Sequence, residues 1–455
     1  MKTYLIFGWI PMIFVLFSCS AQQKIESIKP NFVIVIADDA AWDDSGAYGN
    51  TVIRTPSINK LAEEGLVFDN AYLTTSSCSP SRCSILTGRY PHSTGAPELH
   101  QPLPKNQILF PGELQKVGYY TAAAGKYHIG PKRAEFDSIY PAKDDSGCGN
   151  WLRSLENRPK DKPFFLWLAS KDPHRPYKDS IIEIPHDPLH VIVPPYLPDT
   201  PSVRTELAQY YDEISRVDSY IGLVLKELEK QNVADNTVVI YMSDNGRPFP
   251  RAKTRLYDSG IKTPFIIRWP KQIKIGRTNS LISSIDIATT ICELGGTNIP
   301  REFQGTSFSK LLYEPKESVR AYVAAEHNWH DYQASERAIR TSKYLYIHNR
   351  LPQLNASPPA DAVNSPSFQS ILKLYKEGKL KENHQDSFTI PRKVEELYDL
   401  QNDPFQLKNI VGDSRFSDIL IDMRDLYAQW SEKYEDKLPD KFTPDKFDRS
   451  TGEKL

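Results

Sequence analysis

Cysteine is scarce in this 455-residue chain, with five in all, so a disulfide framework is not what holds the fold together. An excess of charge of either sign is also missing: 56 Lys and Arg face 57 Asp and Glu, a formal net charge of -1. That balance gives no electrostatic footprint for nucleic acid, which is not expected as a partner. No Cys/His cluster with zinc spacing occurs, and there is no internal repeat or low-complexity tract. The apolar run over residues 5–17 falls short of the roughly 20 residues needed to span a bilayer.

That run belongs to a targeting segment. Lys2 supplies a positive n-region, and Leu16-Phe17-Ser18-Cys19 is similar to a bacterial lipoprotein cleavage box. Residues 1–21 are therefore expected to be a leader, the protein exported to the bacterial periplasm or cell envelope, and Cys19 a lipid anchor. Cleavage after Ala21, leaving a soluble secreted protein, is the other reading. The remaining cysteines are Cys78, Cys83, Cys148 and Cys292. Hydrophobic residues at 40% and charged residues at 25% describe an ordinary globular protein. The 24 Tyr, 19 Phe and 7 Trp suit either sugar-stacking surfaces or large cores.

Three apolar, β-branched or aromatic runs are read as strands: 31–37, 163–169 and 237–242. Runs apolar on both faces indicate strands covered by helices on each side. Between them, Leu207, Tyr210, Tyr211, Ile214, Val217, Ile221, Val224, Leu225 and Leu228 recur at helical spacing, predicting a helix over 203–231. The class is α/β. Each strand leads into polar residues: Asp38-Asp39, Lys171-Asp172-Pro173-His174 and Asp244-Asn245. In open α/β sheets ligands gather outside the carboxyl ends of strands. Asp38, Asp39, Asp244 and Asn245 offer only oxygen, which suits a hard cation such as calcium or magnesium.

Beyond residue 318 the pattern shortens. Segments 337–340, 343–347 and 395–400 alternate like a small antiparallel sheet, and 417–434 has the period of a helix that covers it. Residues 352–366, rich in Pro, Ala and Ser, are expected to form a long surface loop, and the tail after Leu438 to be poorly ordered. The expected division is a catalytic domain over 28–318 and a smaller domain over 319–455.

Residues 78–89 read Cys-Ser-Pro-Ser-Arg-Cys-Ser-Ile-Leu-Thr-Gly-Arg. The segment resembles the C-x-P-x-R…L-T-G-R signature of the type I sulfatases, in which a maturation enzyme oxidises the first cysteine to formylglycine. The resemblance implies an alkaline-phosphatase/sulfatase-like fold: a large mixed sheet sandwiched by helices, with a smaller C-terminal α+β domain. It makes Cys78 the nucleophile precursor, served by a formylglycine-generating or anaerobic maturation enzyme, and makes Asp38, Asp39, Cys78, Asp244 and Asn245 the calcium site. Arg82 would steady the nucleophile. Gly125-Lys126-Tyr127-His128-Ile129-Gly130 matches a G-K-x-H-x-G segment, so Lys126 would bind sulfate and His128 act on the hydrate. His174, in a P-H-x-P match, would protonate the leaving group, and Lys253 would supply a further cation.

Within the family, Leu99-His100-Gln101, the 187–195 stretch and Asp244-Asn245-Gly246-Arg247-Pro248-Phe249-Pro250 look like the N-sulfoglucosamine sulfohydrolase group. That group also includes bacterial polysaccharide sulfatases. The expected substrate is a sulfated polysaccharide or its oligosaccharides, ulvan-type favoured, with N-sulfoglucosamine in heparan-type glycans as the alternative. A phosphodiesterase or phosphonate monoester hydrolase of the same superfamily, and a glycan-binding lipoprotein with a dead site, are the more distant readings. His100, Arg175 and Arg247 are candidate contacts to a carboxylate or sulfate. Glu326-His327-Asn328-Trp329-His330-Asp331-Tyr332, with His327 and His330, either floors a sugar subsite or is a packed strand-end loop.

Overall fold

The computed structural model describes residue 1 and residues 29–455, so the expected leader and Cys19 lie outside the described residues. In chain order the strands are β1 (Asn31–Ala37), β2 (Leu66–Phe68), β3 (Ala71–Tyr72), β4 (Tyr120–Gly125), β5 (Ser138–Pro141), β6 (Phe164–Ala169) and β7 (Thr237–Ser243). They continue with β8 (Phe265–Arg268), β9 (Gly276–Thr278), β10 (Ile282–Ser283), β11 (Tyr322–His327), β12 (Glu336–Thr341), β13 (Tyr344–Asn349) and β14 (Glu395–Asp399).

Eight strands form one mixed sheet in the order β5-β4-β6-β1-β7-β8-β2-β9. Its central strands β4, β6, β1 and β7 are parallel, so their carboxyl ends meet at one edge. Every residue of β1 is buried. Val33, Val35 and Ala37 enter the core on one face, with the helix Pro201–Lys230. Phe32, Ile34 and Ile36 enter the core on the other, with the helices Cys78–Thr87 and Asp286–Leu294. This two-sided burial is why the strand reads as an unbroken apolar run.

A second, four-stranded antiparallel sheet has the order β11-β12-β13-β14. Val323, Ala325, Leu345 and Ile347 face Tyr72, Leu256 and Ile261 of the main body. Ala324, Ile339 and Tyr346 face Met423 and Trp430 of the helix Ser417–Lys433. The sheet is thus packed on both sides.

Two sequence expectations are corrected here. Residues 352–366 are not a surface loop: Ala356, Ser357, Ala360, Ala362 and Val363 are buried, and the stretch leads into the helix Pro366–Lys376, which joins the core beside Pro201–Lys230. Small residues allow this segment to pass close under its neighbours. The tail after Leu438 is also placed. Trp329 Nε1 donates to the Pro444 carbonyl (2.7 Å), and Arg449 NH1 and NH2 donate to the Asn355 and Gln333 carbonyls (2.6 and 2.7 Å).

Candidate active site

Cys78 opens the helix Cys78–Thr87, following an extended Ser77, so its side chain lies at the positive end of the helix. Pro80 falls in the first turn, where no intrahelical N–H is required. Arg82, four residues on, projects from the same face as Cys78. The whole helix is buried, which fixes both side chains against the edge of the sheet. Burial pushes the Cys78 thiol well above its ordinary range.

Strand ends bring the acids to this point. Asp38 and Asp39 follow β1, and Asp244 and Asn245 follow β7; all four are fully buried. Ligand atoms of Asp38, Asp39, Cys78 and Asp244 lie within 4.8 Å of one another. Asp38 Oδ1 and Asn245 Oδ1 are buried without a hydrogen-bond partner. Orphaned buried acceptors beside converging carboxylates are what a hard cation requires, so the residues present fit a calcium ion.

Cations offset the packed negative charge. Arg82 donates to Asp244 Oδ2 through Nε (2.8 Å), Lys253 Nζ lies 2.7 Å from Asp39 Oδ2, and Lys126 Nζ bonds Asp38 Oδ2. Burial opposes ionisation of Asp38, yet Lys126, His174 and Arg82 together hold its carboxyl below the usual range. Asp244 goes the other way, because burial outweighs Arg82. Gly125 makes the approach of Lys126 feasible: at φ 95° a Cβ there would sit 1.8 Å from the Ala169 carbonyl oxygen. Only glycine fits this close passage of β4 and β6.

The histidines complete the wall. His128 Nε2 and His100 Nδ1 share a hydrogen bond of 2.8 Å, and burial with nearby Lys126 and Arg82 pushes His128 down to about 2. It is therefore a neutral imidazole. His174 Nδ1 bonds its neighbour's carbonyl, that of Arg175 (2.6 Å), leaving Nε2 4.0 Å from Asp39 and 3.7 Å from Asp361. Asp39, His100, His128 and Asp331 have φ of 76°, 65°, 49° and 64°. Such left-handed backbone is costly outside glycine and concentrates where geometry must be exact enough for chemistry.

Cys78, Lys126, His128, His174 and Lys253 all line one open cavity of about 540 Å³, together with His100 and His330. His330 Nδ1 lies 2.7 Å from the Ser77 hydroxyl, behind the nucleophile position. Two expected substrate contacts, Arg247 and His327, do not line the cavity of Cys78. Arg247 is held by Asp43 and Asp44 (2.6 and 2.9 Å). Arg175 pairs with Glu206 (2.6 Å) and the Pro248 carbonyl, yet lines a neighbouring cavity of about 410 Å³ with Asp38, Lys126 and His174, and its NH2 has no hydrogen-bond partner. His327 points to a separate enclosed space of about 20 Å³ beside Arg255 and Glu336. These partners lie far away in sequence, so nothing local reveals them.

The sequence reading missed Asp361 and Phe447, which line the cavity; Leu99, in the Leu99-His100-Gln101 stretch singled out, lines it as well. Asp331 lines it too and does lie in the aromatic, histidine-rich segment singled out. No local signal marks Asp361 or Phe447.

A buried cysteine at a helix start, converging oxygen groups and a ring of Lys and His therefore meet at one cavity. Residues 30–297 match the Sulfatase family, and residues 251–354 match the N-sulphoglucosamine sulphohydrolase C-terminal family. The chain belongs to the sulfatase family and is a sulfuric ester hydrolase. It is 32% identical to human N-sulphoglucosamine sulphohydrolase over 92% of each chain. It is 29% identical to an ulvan-active sulfatase of Formosa agariphila, covering 91% of this chain and 78% of that protein. A solved structure in complex with D-glucosamine-2-N,6-O-disulfate superposes with a TM-score of 0.71 at 21% identity, covering 91% of this chain and 99% of that one. That likeness concerns the fold.

Proposed function

We propose that the protein removes sulfate from a sulfated polysaccharide or its oligosaccharides, with ulvan-type glycans favoured. Placement of Cys78 within 4.8 Å of Asp38, Asp39 and Asp244 carries the reading. Asp38, Asp39, Asp244 and Asn245 would hold calcium, and position 78 would carry formylglycine. When present, these groups supply a geminal diol nucleophile and a positive charge beside it.

The chain's own residues do the rest. Arg82 is held by Asp244 and by the Lys126 carbonyl (2.8 Å), so it presents a fixed charge next to position 78. Lys126 and Lys253 bind sulfate oxygens and offset charge as the S–O bond breaks. His174 Nε2 delivers a proton to the departing oxygen. His128, which lines the cavity of Cys78 and shares a hydrogen bond with His100, would be the base serving the hydrated group held at position 78. Export to the periplasm or cell envelope, with a lipid anchor at Cys19, belongs to the same reading and rests on the leader sequence.

A second reading is N-sulfoglucosamine hydrolysis in heparan-type glycans, favoured by the match over residues 251–354. Sulfate release from defined ulvan, heparin and carrageenan oligosaccharides separates the two. Mass analysis of the peptide bearing residue 78 should find an aldehyde in place of the thiol, and Cys78→Ser should abolish multiple turnover. A steady-state rate unchanged in Cys78→Ser would sink the mechanism.

A further inference from the structure

The far end of the chain contributes to the catalytic cavity. Phe447 and Gly452 line it together with Cys78, Lys126 and His174. These two residues belong to a hairpin over 446–455. Phe447 pairs with Lys454, and the Leu455 N–H donates to the Lys446 carbonyl (2.9 Å). Asp448 Oδ1 accepts the Ser450 and Thr451 N–H groups (2.8 Å each), which closes the turn.

The hairpin is docked as firmly as it is built. The Lys446 N–H donates to the Asp331 carbonyl (2.9 Å), and Arg449 reaches the Asn355 and Gln333 carbonyls. Gly452 has φ 69°, and a Cβ there would stand 3.1 Å from Val363 Cβ, in the short helix that carries Asp361. The left-handed backbone favours glycine here, and the neighbours leave little room for a Cβ.

The Phe447 ring contacts its neighbour Lys446, whose Nζ lies 5.7 Å from the ring centroid. The ring belongs to none of the apolar cores and is part-exposed in a cavity otherwise lined mainly by charged and polar groups. A lone aromatic face among well-placed polar groups is the usual composition of a site that takes an amphipathic ligand. A pyranose is such a ligand: its C–H face is apolar and its edge carries hydroxyls. Asp331, whose Oδ2 accepts the Ala360 N–H (3.0 Å), and Asp361 line the same cavity and offer carboxylate oxygens to those hydroxyls.

We infer that the C-terminal hairpin is part of the sugar-binding site, with Phe447 the platform on which the ring bearing the sulfate stacks. The inference rests on the sulfatase reading and assigns the sugar, as distinct from the sulfate, to residues 447, 331 and 361.

The test uses the full-length matured enzyme and a sulfated monosaccharide that it desulfates. Phe447→Ala should raise KM for that sugar about tenfold. Inhibition by inorganic sulfate, which reads the Lys126 and Lys253 end alone, should change less than about twofold, and Phe447→Trp should restore KM. Arg449→Ala, which loosens the hairpin without touching the cavity, should shift KM in the same direction. An unchanged KM in Phe447→Ala, or a parallel loss of sulfate inhibition, would overturn the assignment. Failure of the unmodified enzyme to release sulfate from any sugar would overturn the glycan reading as well.

Discussion

Arg82 donates from Nε to Asp244 Oδ2 at 2.8 Å, its NH2 lies 2.7 Å from the same oxygen, and neither side chain is exposed. Such a pair is expensive to break, since removing one member strands the other's charge in the interior. Arg82→Ala should therefore destabilise the fold by about 3–5 kcal/mol, read as a lower denaturant midpoint. Arg82→Lys keeps the charge but loses the planar fork and the bond to the Lys126 carbonyl, so it should lose activity with a smaller stability cost.

Metal binding should be visible without any turnover. A cation held by Asp38, Asp39, Asp244 and Asn245 binds the folded state only, so calcium at about 100 times its Kd should add about 2.7 kcal/mol of stability. Thermal melts of chelator-treated protein should rise on adding calcium, and the rise should vanish in Asp244→Ala. A melt indifferent to calcium would contradict the oxygen-ligand site.

Much of this centre was readable in the chain because its parts sit at the ends of strongly patterned elements. β1 and β7 are apolar on both faces, and the helix Pro201–Lys230 keeps its period for thirty residues. What was not readable depends on long-range burial. β11 has buried residues on both faces but includes alanines and ends in Glu326-His327, so it resembled a loop. The 352–366 segment has loop composition yet lies buried, because Ala and Ser pack where larger side chains would not fit. Arg247 is cationic near a catalytic motif, but Asp43 and Asp44 claim it.

Glu336 links the sheets to the body. Arg255 NH1 and Arg392 NH1 donate to its Oε1 at 3.0 and 2.8 Å, and its side chain is 2% exposed. Burial disfavours its charge, but the two guanidinium groups outweigh this and hold the carboxyl far below the usual range. A depressed folded-state pKa contributes stability above the unfolded value of 4.5 and loses it as pH falls towards the folded value. Glu336→Gln should cost about 3–5 kcal/mol near neutral pH. Its deficit should shrink as both proteins are acidified below the ordinary glutamate range, measured by urea unfolding at a series of pH values.

His92 should show the opposite dependence. Its Nδ1 lies 2.6 Å from Glu326 and its Nε2 lies 2.8 Å from the Tyr434 carbonyl, which can only accept. The carbonyl requires a proton on Nε2, and the Glu326 carboxylate favours one on Nδ1, so the side chain is set to join the body to β11 and to the end of the helix Ser417–Lys433 as an imidazolium. Asp436 and Arg337 complete the surroundings, with Arg337 2.7 Å from Asp436 and 3.8 Å from Glu326. Burial works against the charge, but Glu326 and the Tyr434 carbonyl raise the pKa above 6.5. A raised folded-state pKa gives stability that is complete below 6.5 and is lost as pH rises through the folded value. His92→Gln can make only part of this network, so it should be less stable by about 1.5–3 kcal/mol at mildly acidic pH. That gap should narrow on the alkaline side, and unfolding curves for both proteins between about pH 5 and pH 9 will show it. A gap independent of pH would contradict the imidazolium.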